Sequence, residues 1–404
     1  MIRLLGRLLA PDDRGLSVVT VDGGVVTAIE PAMGGEAPAA RAAGAAEDTT
    51  ILGSATSRIV PGLIDIQVNG AFGDDFADPT ADMDRIVRSL PRFGVTGLVP
   101  TIVTSPPSAY PAALANLRRA DRPGETRVLG THLEGPFISP SHHGTHDPAN
   151  LRLPDVREAE TWLGEGDVRW VTLAPELAGA LELIRFLVDR GVRVSIGHTD
   201  ATWDQAAAAV DAGATMATHL FNAMRPFRHR DPGVVGYALA SPLTTGFMAD
   251  GQHLAFGTIR VIARAKARDE VVLVTDALAG LGMPPGRYML AGREYESDGV
   301  VGRLPDGTLS GSLLQLNLAV RNLVREAGFS EADAIRAATA NPARAIGVDD
   351  VAGTIEVGRP ADIAILADDW AVEATLVGGV VAYDRAEAEP SASGQATAAA
   401  EAGA

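Results

Sequence analysis

About eight short apolar segments recur between residues 59 and 276, and most are followed by a stretch with helical periodicity. These segments end near Asp65, Thr101, Glu134, Ala174, Gly197, His219, Met248 and Asp276. Helical stretches such as 81–93, 178–189 and 258–268 lie between them. Strands that alternate with helices form parallel sheets. Eight such units therefore predict an α/β fold with a (β/α)8 TIM-type barrel.

The two ends of the chain differ from its middle in their sequence pattern. Short strand-like segments near the N-terminus flank the hairpin signal Asp22-Gly23, and similar segments recur between residues 353 and 381. The last twenty or so residues are mainly Ala, Glu, Ser and Gly, which cannot bury a core, so a disordered tail is expected. The predicted organisation has three parts. Residues 1–58 and 350–384 form a small β domain from both termini, residues 59–349 form the barrel, and residues 385–404 form the tail.

Composition excludes several classes of partner and site. The chain of 404 residues has a formal net charge of −17 and no cysteine. An acidic surface argues against nucleic acid and anionic membranes as partners. Without cysteine, disulfides and thiolate metal sites are excluded. No stretch is long enough to span a membrane, and the N-terminus is too short and too interrupted by arginine for a signal peptide. A cytoplasmic location is therefore expected.

Ionisable residues stand where several predicted strands end. Glu134, His198 and His219 each follow an apolar run, and Asp276 ends the last one. Taken alone, each is more typical of a structural residue, and Asp276 could be a helix N-cap. In a (β/α)8 barrel, however, the carboxyl ends of the strands carry the active site. One carboxylate and two imidazoles match a catalytic zinc-type site that keeps a position for water. Asp276 would then serve as general base and acid.

Three further residues near these strand ends could contact a substrate. His146 follows Glu134 by twelve positions on the same predicted loop and could donate a hydrogen bond to a substrate carbonyl. Arg230 and His253 lie in later loops and could bind an anionic group. For Arg230, a solvent-exposed position in an arginine-rich loop is the alternative interpretation.

Six short motifs follow one another along the chain: PGLIDIQVNG at 61–70, HLEGPF at 132–137, GHT at 197–199, THLFNAM at 218–224, DGQH at 250–253 and VTDA at 274–277. In kind and order they resemble the N-acetylglucosamine-6-phosphate deacetylases of the amidohydrolase superfamily. The resemblance extends from about Ile59 to about Leu366.

This resemblance implies roles for individual residues. Glu134, His198 and His219 would bind the metal, Asp276 would be the acid/base, and His146 would position the acetyl carbonyl. Arg230 and His253 would hold the 6-phosphate. Members of this family are commonly homodimers whose phosphate site lies at the subunit interface, so a homodimer is expected here. The implied sugar-binding residues are Gln67, Thr145, Asn222, Ala223, Asp250, Gly251, Gln252, His253 and a loop formed by Leu309, Ser310 and Gly311.

The end of the first barrel strand bears on the number of metal ions. Many amidohydrolases have His-x-His there, which supports a second metal, but this chain has Gln67 and Asn69. Neutral amides are poor ligands for divalent metals beside imidazole. One tightly held divalent ion is therefore predicted. Zn²⁺ is the leading candidate, with Fe²⁺, Co²⁺ and Mn²⁺ as alternatives.

The predicted reaction is metal-dependent hydrolysis of N-acetyl-D-glucosamine 6-phosphate to D-glucosamine 6-phosphate and acetate. Deacetylation of the galactosamine epimer is the nearest alternative. Cyclic amide hydrolysis usually needs His-x-His and a carboxylated lysine, whereas the only lysine here is Lys266, in a predicted helix. A non-catalytic barrel that serves as a scaffold would be expected to lack a metal ligand or Asp276, and all four residues are present.

Overall fold

The computed structural model describes residues 1–10, 12–32 and 49–388. The chain begins with four strands of one sheet: β1 (Ile2–Leu9), β2 (Asp13–Asp22), β3 (Val25–Pro31) and β4 (Thr50–Pro61). β1 pairs with β2 antiparallel and with β4 parallel. The hairpin between β2 and β3 turns at Gly23-Gly24, one residue later than the sequence signal, because Asp22 still pairs with Val25. Both glycines have positive φ, which this tight turn requires.

The middle of the chain forms the predicted barrel. Its eight parallel strands neighbour one another in the order β5, β8, β10, β11, β12, β13, β14, β15, while β6 and β7 form a separate hairpin and β9 pairs with β8. The strands are β5 (Leu63–Val68), β6 (Gly70–Ala71), β7 (Asp74–Asp75), β8 (Val95–Val103), β9 (Arg127–Val128), β10 (Thr131–Glu134), β11 (Val168–Leu173), β12 (Arg193–Ile196), β13 (Met216–Ala217), β14 (Thr244–Phe247) and β15 (Val271–Leu273).

The barrel closes where the segment after β15 meets β5. The amide of Asp276 donates to the carbonyl of Gln67 at 2.9 Å, and Val68 and Ala277 form a parallel bridge. Nearby, the Thr275 hydroxyl donates to the buried carboxylate of Asp65 at 2.6 Å. This seam brings the end of the first strand beside the end of the last one.

Helices surround the barrel, and their apolar faces explain their positions. The fourth helix, for example, buries Leu183, Ile184 and Leu187 at helical spacing. The structure confirms a helix in each of the predicted stretches 81–93, 178–189 and 258–268, with bounds that differ by a few residues. The first stretch ends in a 3₁₀ turn at Leu90–Phe93. The helices are α1 (Met83–Ser89), α2 (Tyr110–Leu117), α3 (Val156–Glu165), α4 (Ala180–Val188), α5 (Trp203–Asp211), α6 (Gly233–Ala240), α7 (Phe256–Ala265), α8 (Leu316–Asn322), α9 (Glu331–Ala337) and α10 (Ala340–Ile346).

A small antiparallel sheet is inserted between the last barrel strand and α8. Its strands are β16 (Gly286–Leu290), β17 (Arg293–Ser297), β18 (Val301–Arg303) and β19 (Leu309–Ser312). The expectation of a loop at Leu309–Gly311 is therefore wrong, because these residues lie in β19, where Gly311 pairs with Gly302. A strand of Leu, Ser and Gly lacks the β-branched and aromatic residues that usually mark one.

The terminal sheet contains strands from both ends of the chain, as predicted. Three C-terminal strands, β20 (Ile363–Leu366), β21 (Val372–Val377) and β22 (Val380–Asp384), extend it to the order β22-β21-β20-β4-β1-β2-β3. The chain then forms a short helix, α11 (Arg385–Ala388), at the start of the predicted tail, and the remainder of that tail lies outside the described residues. No helix within the described ranges is long and apolar enough to cross a bilayer.

A largely buried ion pair joins the barrel to the terminal sheet. Arg127, in β9, lies 2.8 Å from the carboxylate of Asp362, just before β20, and the two side chains are 13% and 9% exposed. The same carboxylate accepts the amide of Gly378 at 2.7 Å. Without the arginine, this backbone N–H would be the only partner of the buried carboxylate among the described residues.

We expect Arg127→Met to lower the free energy of unfolding by about 3 kcal/mol, because the buried carboxylate of Asp362 would lose its positively charged partner. The matched control is Arg287→Met, whose pair with Glu294 is 70% and 55% exposed. Its loss is expected to cost less than about 1 kcal/mol. Thermal and denaturant unfolding measure both, and equal losses would contradict an interdomain role for Arg127.

Candidate active site

Three side chains converge at the carboxyl ends of three barrel strands, β10, β12 and β13. Glu134 is the last residue of β10, while His198 and His219 follow β12 and β13 by two residues. The Nε2 atoms of the two histidines lie 3.1 and 2.9 Å from Oε1 of Glu134 and 3.0 Å from each other. All three residues are at least 95% buried. This arrangement brings together the three predicted metal ligands.

The hydrogen bonding of His198 fits a metal ligand. Its Nδ1 lies 2.8 Å from the carbonyl oxygen of His142, which can only accept, so Nδ1 carries a hydrogen. In the neutral ring, Nε2 then presents a lone pair to the carboxylate of Glu134. A proton or a metal ion between Nε2 and Oε1, which lie 3.1 Å apart, would satisfy both atoms. Metal-binding histidines commonly donate their other nitrogen to a carbonyl in this way.

The donor set also fits a divalent metal chemically. Two imidazole nitrogens and one carboxylate oxygen are a known three-residue set for catalytic zinc. Burial alone would raise the pKa of Glu134, but hydrogen bonds from His198 and His219 outweigh it and hold that pKa well below its usual range. The carboxylate is therefore ionised and available as a ligand at neutral pH.

Asp276 lies beside this cluster and is held by two amides. Asn69 Nδ2 donates to its Oδ1 at 2.8 Å, and Gln67 Nε2 donates to the same oxygen at 3.2 Å. Gln67 also lies 3.4 Å from both carboxylate oxygens of Glu134, so its amide separates two buried negative charges. Burial and the charge of Glu134 raise the pKa of Asp276. A carboxylate with a raised pKa is a stronger base than a free one, which suits it to accept a proton.

His146 lies against the same cluster. Its ring centroid is 4.4 Å from that of His198, and the residue is 4% exposed. Burial and the neighbouring His198 lower the pKa of His146 well below its usual range, so the ring is neutral at neutral pH. A neutral imidazole in this position can donate one hydrogen bond to a substrate.

One cavity of about 350 Å³ opens above these residues. Of the predicted sugar-binding residues, six line it: Thr145, Asn222, Ala223, His253, Leu309 and Ser310. Five others do not line it: Gln67, Asp250, Gly251, Gln252 and Gly311. Gln67 is fully buried beneath the cavity. The carboxylate of Asp250 accepts hydrogen bonds from Nδ1 of His253 at 2.5 Å and from the backbone amide of His253 at 2.9 Å. Asp250 thereby orients His253, which does line the cavity.

Arg230 lies apart from the cavity in the single chain. Its side chain is exposed and donates to the ring of its neighbour His229 at 2.7 Å. The nearby Arg225 has its guanidinium engaged by Asp231 and Asp200. The residues that line the cavity, all of them in the described part of the chain, include neither arginine nor lysine.

The structure adds residues that the sequence reasoning did not include in the site. Asn69 lines the cavity and makes the shorter bond to Asp276, and its spacing of two from Gln67 at a strand end was an available signal. Leu290 comes from β16 of the inserted sheet and Thr308 directly precedes β19, and this sheet was not predicted. Met248 lines the cavity without any distinctive motif.

The backbone is strained at the same place. His198, His219 and Asp276 have φ of 47°, 28° and 51°, a left-handed region that residues other than glycine rarely adopt. Such strain costs about 1–3 kcal/mol per residue and clusters at functional sites. At Asp276 it is stabilised by the barrel seam, where its amide donates to Gln67 and its carbonyl accepts from Ser312.

Comparisons with known proteins agree with this geometry. The amidohydrolase family model matches residues 58–382. Among relatives, a human N-acetylglucosamine-6-phosphate deacetylase is 40% identical over 341 residues, which cover 80% of this chain and 83% of that protein. An N-acetylgalactosamine-6-phosphate deacetylase from Escherichia coli O157:H7 is 38% identical over 330 residues, which cover 80% and 87%.

Solved structures show the same similarity in three dimensions. One is an aspartate-to-alanine mutant of N-acetyl-D-glucosamine-6-phosphate deacetylase from Mycobacterium smegmatis in complex with N-acetyl-D-glucosamine 6-phosphate. It matches with a TM-score of 0.85 and 33% identity, over 94% of this chain and 99% of that one. The N-acetylglucosamine-6-phosphate deacetylase from Pasteurella multocida matches with a TM-score of 0.84 and 30% identity, over 93% and 98%.

We expect the purified protein to bind about one divalent ion per chain, and His219→Asn to reduce this to about a tenth or less, because only two of three ligands remain. Elemental analysis after dialysis measures the content. His229→Asn, in an exposed loop, is the matched control and should keep full content. Close to two ions per chain, both needed for activity, would contradict the single-metal prediction.

Proposed function

Because the chain belongs to the amidohydrolase family, we propose that it hydrolyses the acetamide of N-acetyl-D-glucosamine 6-phosphate, releasing D-glucosamine 6-phosphate and acetate. The observation that carries the proposal is the arrangement of three buried metal-ligand side chains and a separate carboxylate, Asp276, at one cavity. The identity of 36–40% to several deacetylases of this substrate supports the choice of acetamide.

The metal would be held by Glu134, His198 and His219. When bound there, a divalent ion supplies Lewis acidity, which lowers the pKa of water to about 7 and polarises a carbonyl. We propose a single Zn²⁺, because Gln67 and Asn69 direct their amide hydrogens to carboxylates and occupy the positions that histidines would need for a second ion.

The chain's own residues would move the protons. Asp276 would accept the proton of the attacking water, since its raised pKa makes it a competent base, and would then pass that proton to the departing amine. Asn69 and Gln67 restrain one carboxylate oxygen and so orient the group. His146 would donate a hydrogen bond to the acetyl oxygen as negative charge develops on it.

Phosphate recognition is the part of the site that one chain does not complete. Among the described residues that line the cavity, histidine is the only basic residue type. A phosphate dianion is normally bound by arginine or lysine. Arg230 is exposed on a nearby loop. We therefore propose a homodimer in which Arg230 of one subunit reaches the cavity of the other and acts with His253. The proposed cytoplasmic location is the one expected for the metabolism of sugar phosphates.

The galactosamine epimer is the second candidate substrate. It is favoured by the 38% identity to the E. coli N-acetylgalactosamine-6-phosphate deacetylase, which is nearly as high as the identity to the human glucosamine enzyme. The two sugars differ only at one ring hydroxyl. The metal ligands, Asp276 and His146 would have the same roles with either substrate.

Replacing Asp276 tests the proposed acid/base directly. Asp276→Asn keeps the size of the side chain but cannot accept a proton, so we expect acetate release to fall by about 10³-fold or more. Metal content should stay near that of the wild type, because Asp276 is not among the three ligands. Retained activity, or loss of the metal together with activity, would contradict the assignment.

The phosphate clamp is tested by a change in substrate preference. We expect Arg230→Ala to lower kcat/KM for the phosphorylated sugar by about 30-fold and for free N-acetylglucosamine by less than about threefold. Arg264→Ala, an exposed arginine on α7, is the matched control. An equal loss on both sugars would argue against a role for Arg230 at the phosphate.

A further inference from the structure

Thr104, the residue directly after β8, contacts the ring of His146 through two of its groups. Its hydroxyl oxygen lies 2.7 Å from Nδ1 of His146, and its backbone N–H donates to the same nitrogen at 3.3 Å. The two residues are 1% and 4% exposed, so water does not compete strongly for these bonds. Nothing in the sequence motifs indicates a role for Thr104.

The backbone donor determines which nitrogen of the ring carries the hydrogen. A peptide N–H can only donate, so Nδ1 of His146 must present its lone pair. The hydroxyl of Thr104 then also donates to Nδ1. In a neutral imidazole the single hydrogen must therefore be on Nε2. Among the described residues, none accepts a hydrogen bond from this Nε2.

We propose that Thr104 is a positioning residue that fixes His146 in the tautomer with its hydrogen on Nε2, available to donate to the acetyl oxygen of the substrate. This inference rests on the proposed deacetylation. The opposite tautomer would present a lone pair to the developing negative charge and destabilise the transition state. Thr104 itself need not touch the substrate.

The surroundings of the pair leave room for this contact and anchor the loop. A Cβ on Gly135 would lie 2.3 Å from the Thr104 hydroxyl oxygen, so the glycine after the ligand Glu134 is needed for Thr104 to face His146. From the inserted sheet, Arg293 donates to the carbonyl of Thr145 at 2.7 Å. The ring is thus held at Nδ1, while the main chain beside it is tied to β17.

Two substitutions at residue 104 distinguish the effect of the hydroxyl group from the effect of side-chain volume. Thr104→Val removes the hydroxyl donor at nearly constant volume and leaves only the longer backbone bond of 3.3 Å, so the ring is held less tightly at Nδ1. Thr104→Ser keeps both donors. We expect Thr104→Val to lower kcat for N-acetylglucosamine 6-phosphate by about tenfold, with KM and metal content changed by less than about twofold. Thr104→Ser should remain within about threefold of the wild type. In a His146→Ala background, Thr104→Val should have no further effect on kcat.

The matched control is Thr126→Val. Thr126 is also buried, and its hydroxyl donates to the carbonyl of Val95 at 2.8 Å, at the opposite end of β8. Its kcat should stay within about twofold of the wild type, because that bond is remote from the cavity. Equal losses in Thr104→Val and Thr126→Val, or no rescue by serine, would overturn the positioning role.

The tautomer can also be measured without turnover. Nitrogen-15 NMR of labelled histidine side chains in the metal-loaded protein should show His146 protonated at Nε2 and unprotonated at Nδ1, with the signal assigned by its loss in His146→Gln. A hydrogen on Nδ1 would overturn the inference. If the wild type releases no acetate while the spectrum is as expected, the proposed function fails and the assigned tautomer stands.

Discussion

A carboxylate buried at the end of a barrel strand is the constraint on which the rest of the site depends. Glu134 is 2% exposed and ionised, and a buried negative charge is tolerated only with close positive or hydrogen-bonding partners. Two histidines that follow β12 and β13 supply nitrogens at about 3 Å, and the carbonyl of His142 orients one of them. The three strand ends can meet in this way because parallel barrel strands bring their carboxyl ends to one face.

Closure of the barrel adds the chemistry that the ligands alone lack. The seam between β5 and the segment after β15 places Asp276 beside the cluster, and amides from Gln67 and Asn69 hold it there. The amide of Gln67 lies between the carboxylates of Glu134 and Asp276, and the amide of Asn69 donates to Asp276. Histidines at these two positions could not make the same contacts while they ligated a second ion. The inserted sheet then walls the cavity and anchors the His146 loop through Arg293.

Much of this could be predicted from the sequence, and the exceptions have physical causes. The alternation of apolar runs and helical stretches predicted the barrel, and strand-end residues predicted the group of Glu134, His198 and His219 that the structure brings together. The segment Leu309–Gly311 belongs to strand β19 and not to a loop, and its Leu, Ser and Gly residues have low strand propensity, which leaves little signal in the sequence. The contact between Thr104 and His146 spans 42 positions and depends on loop geometry that no local pattern records. Arg230 lies outside the cavity of one chain, so its proposed role depends on a second subunit.

The most direct test of the account is an acetate-release assay on the purified protein. It compares N-acetylglucosamine 6-phosphate, its galactosamine epimer and unphosphorylated N-acetylglucosamine, before and after dialysis against a chelator and after return of Zn²⁺. The account predicts rapid release from N-acetylglucosamine 6-phosphate, at least about tenfold slower release from the free sugar, loss of activity with the metal and recovery with Zn²⁺. No release from either phosphorylated sugar, or release that persists after the metal has been removed, would contradict it.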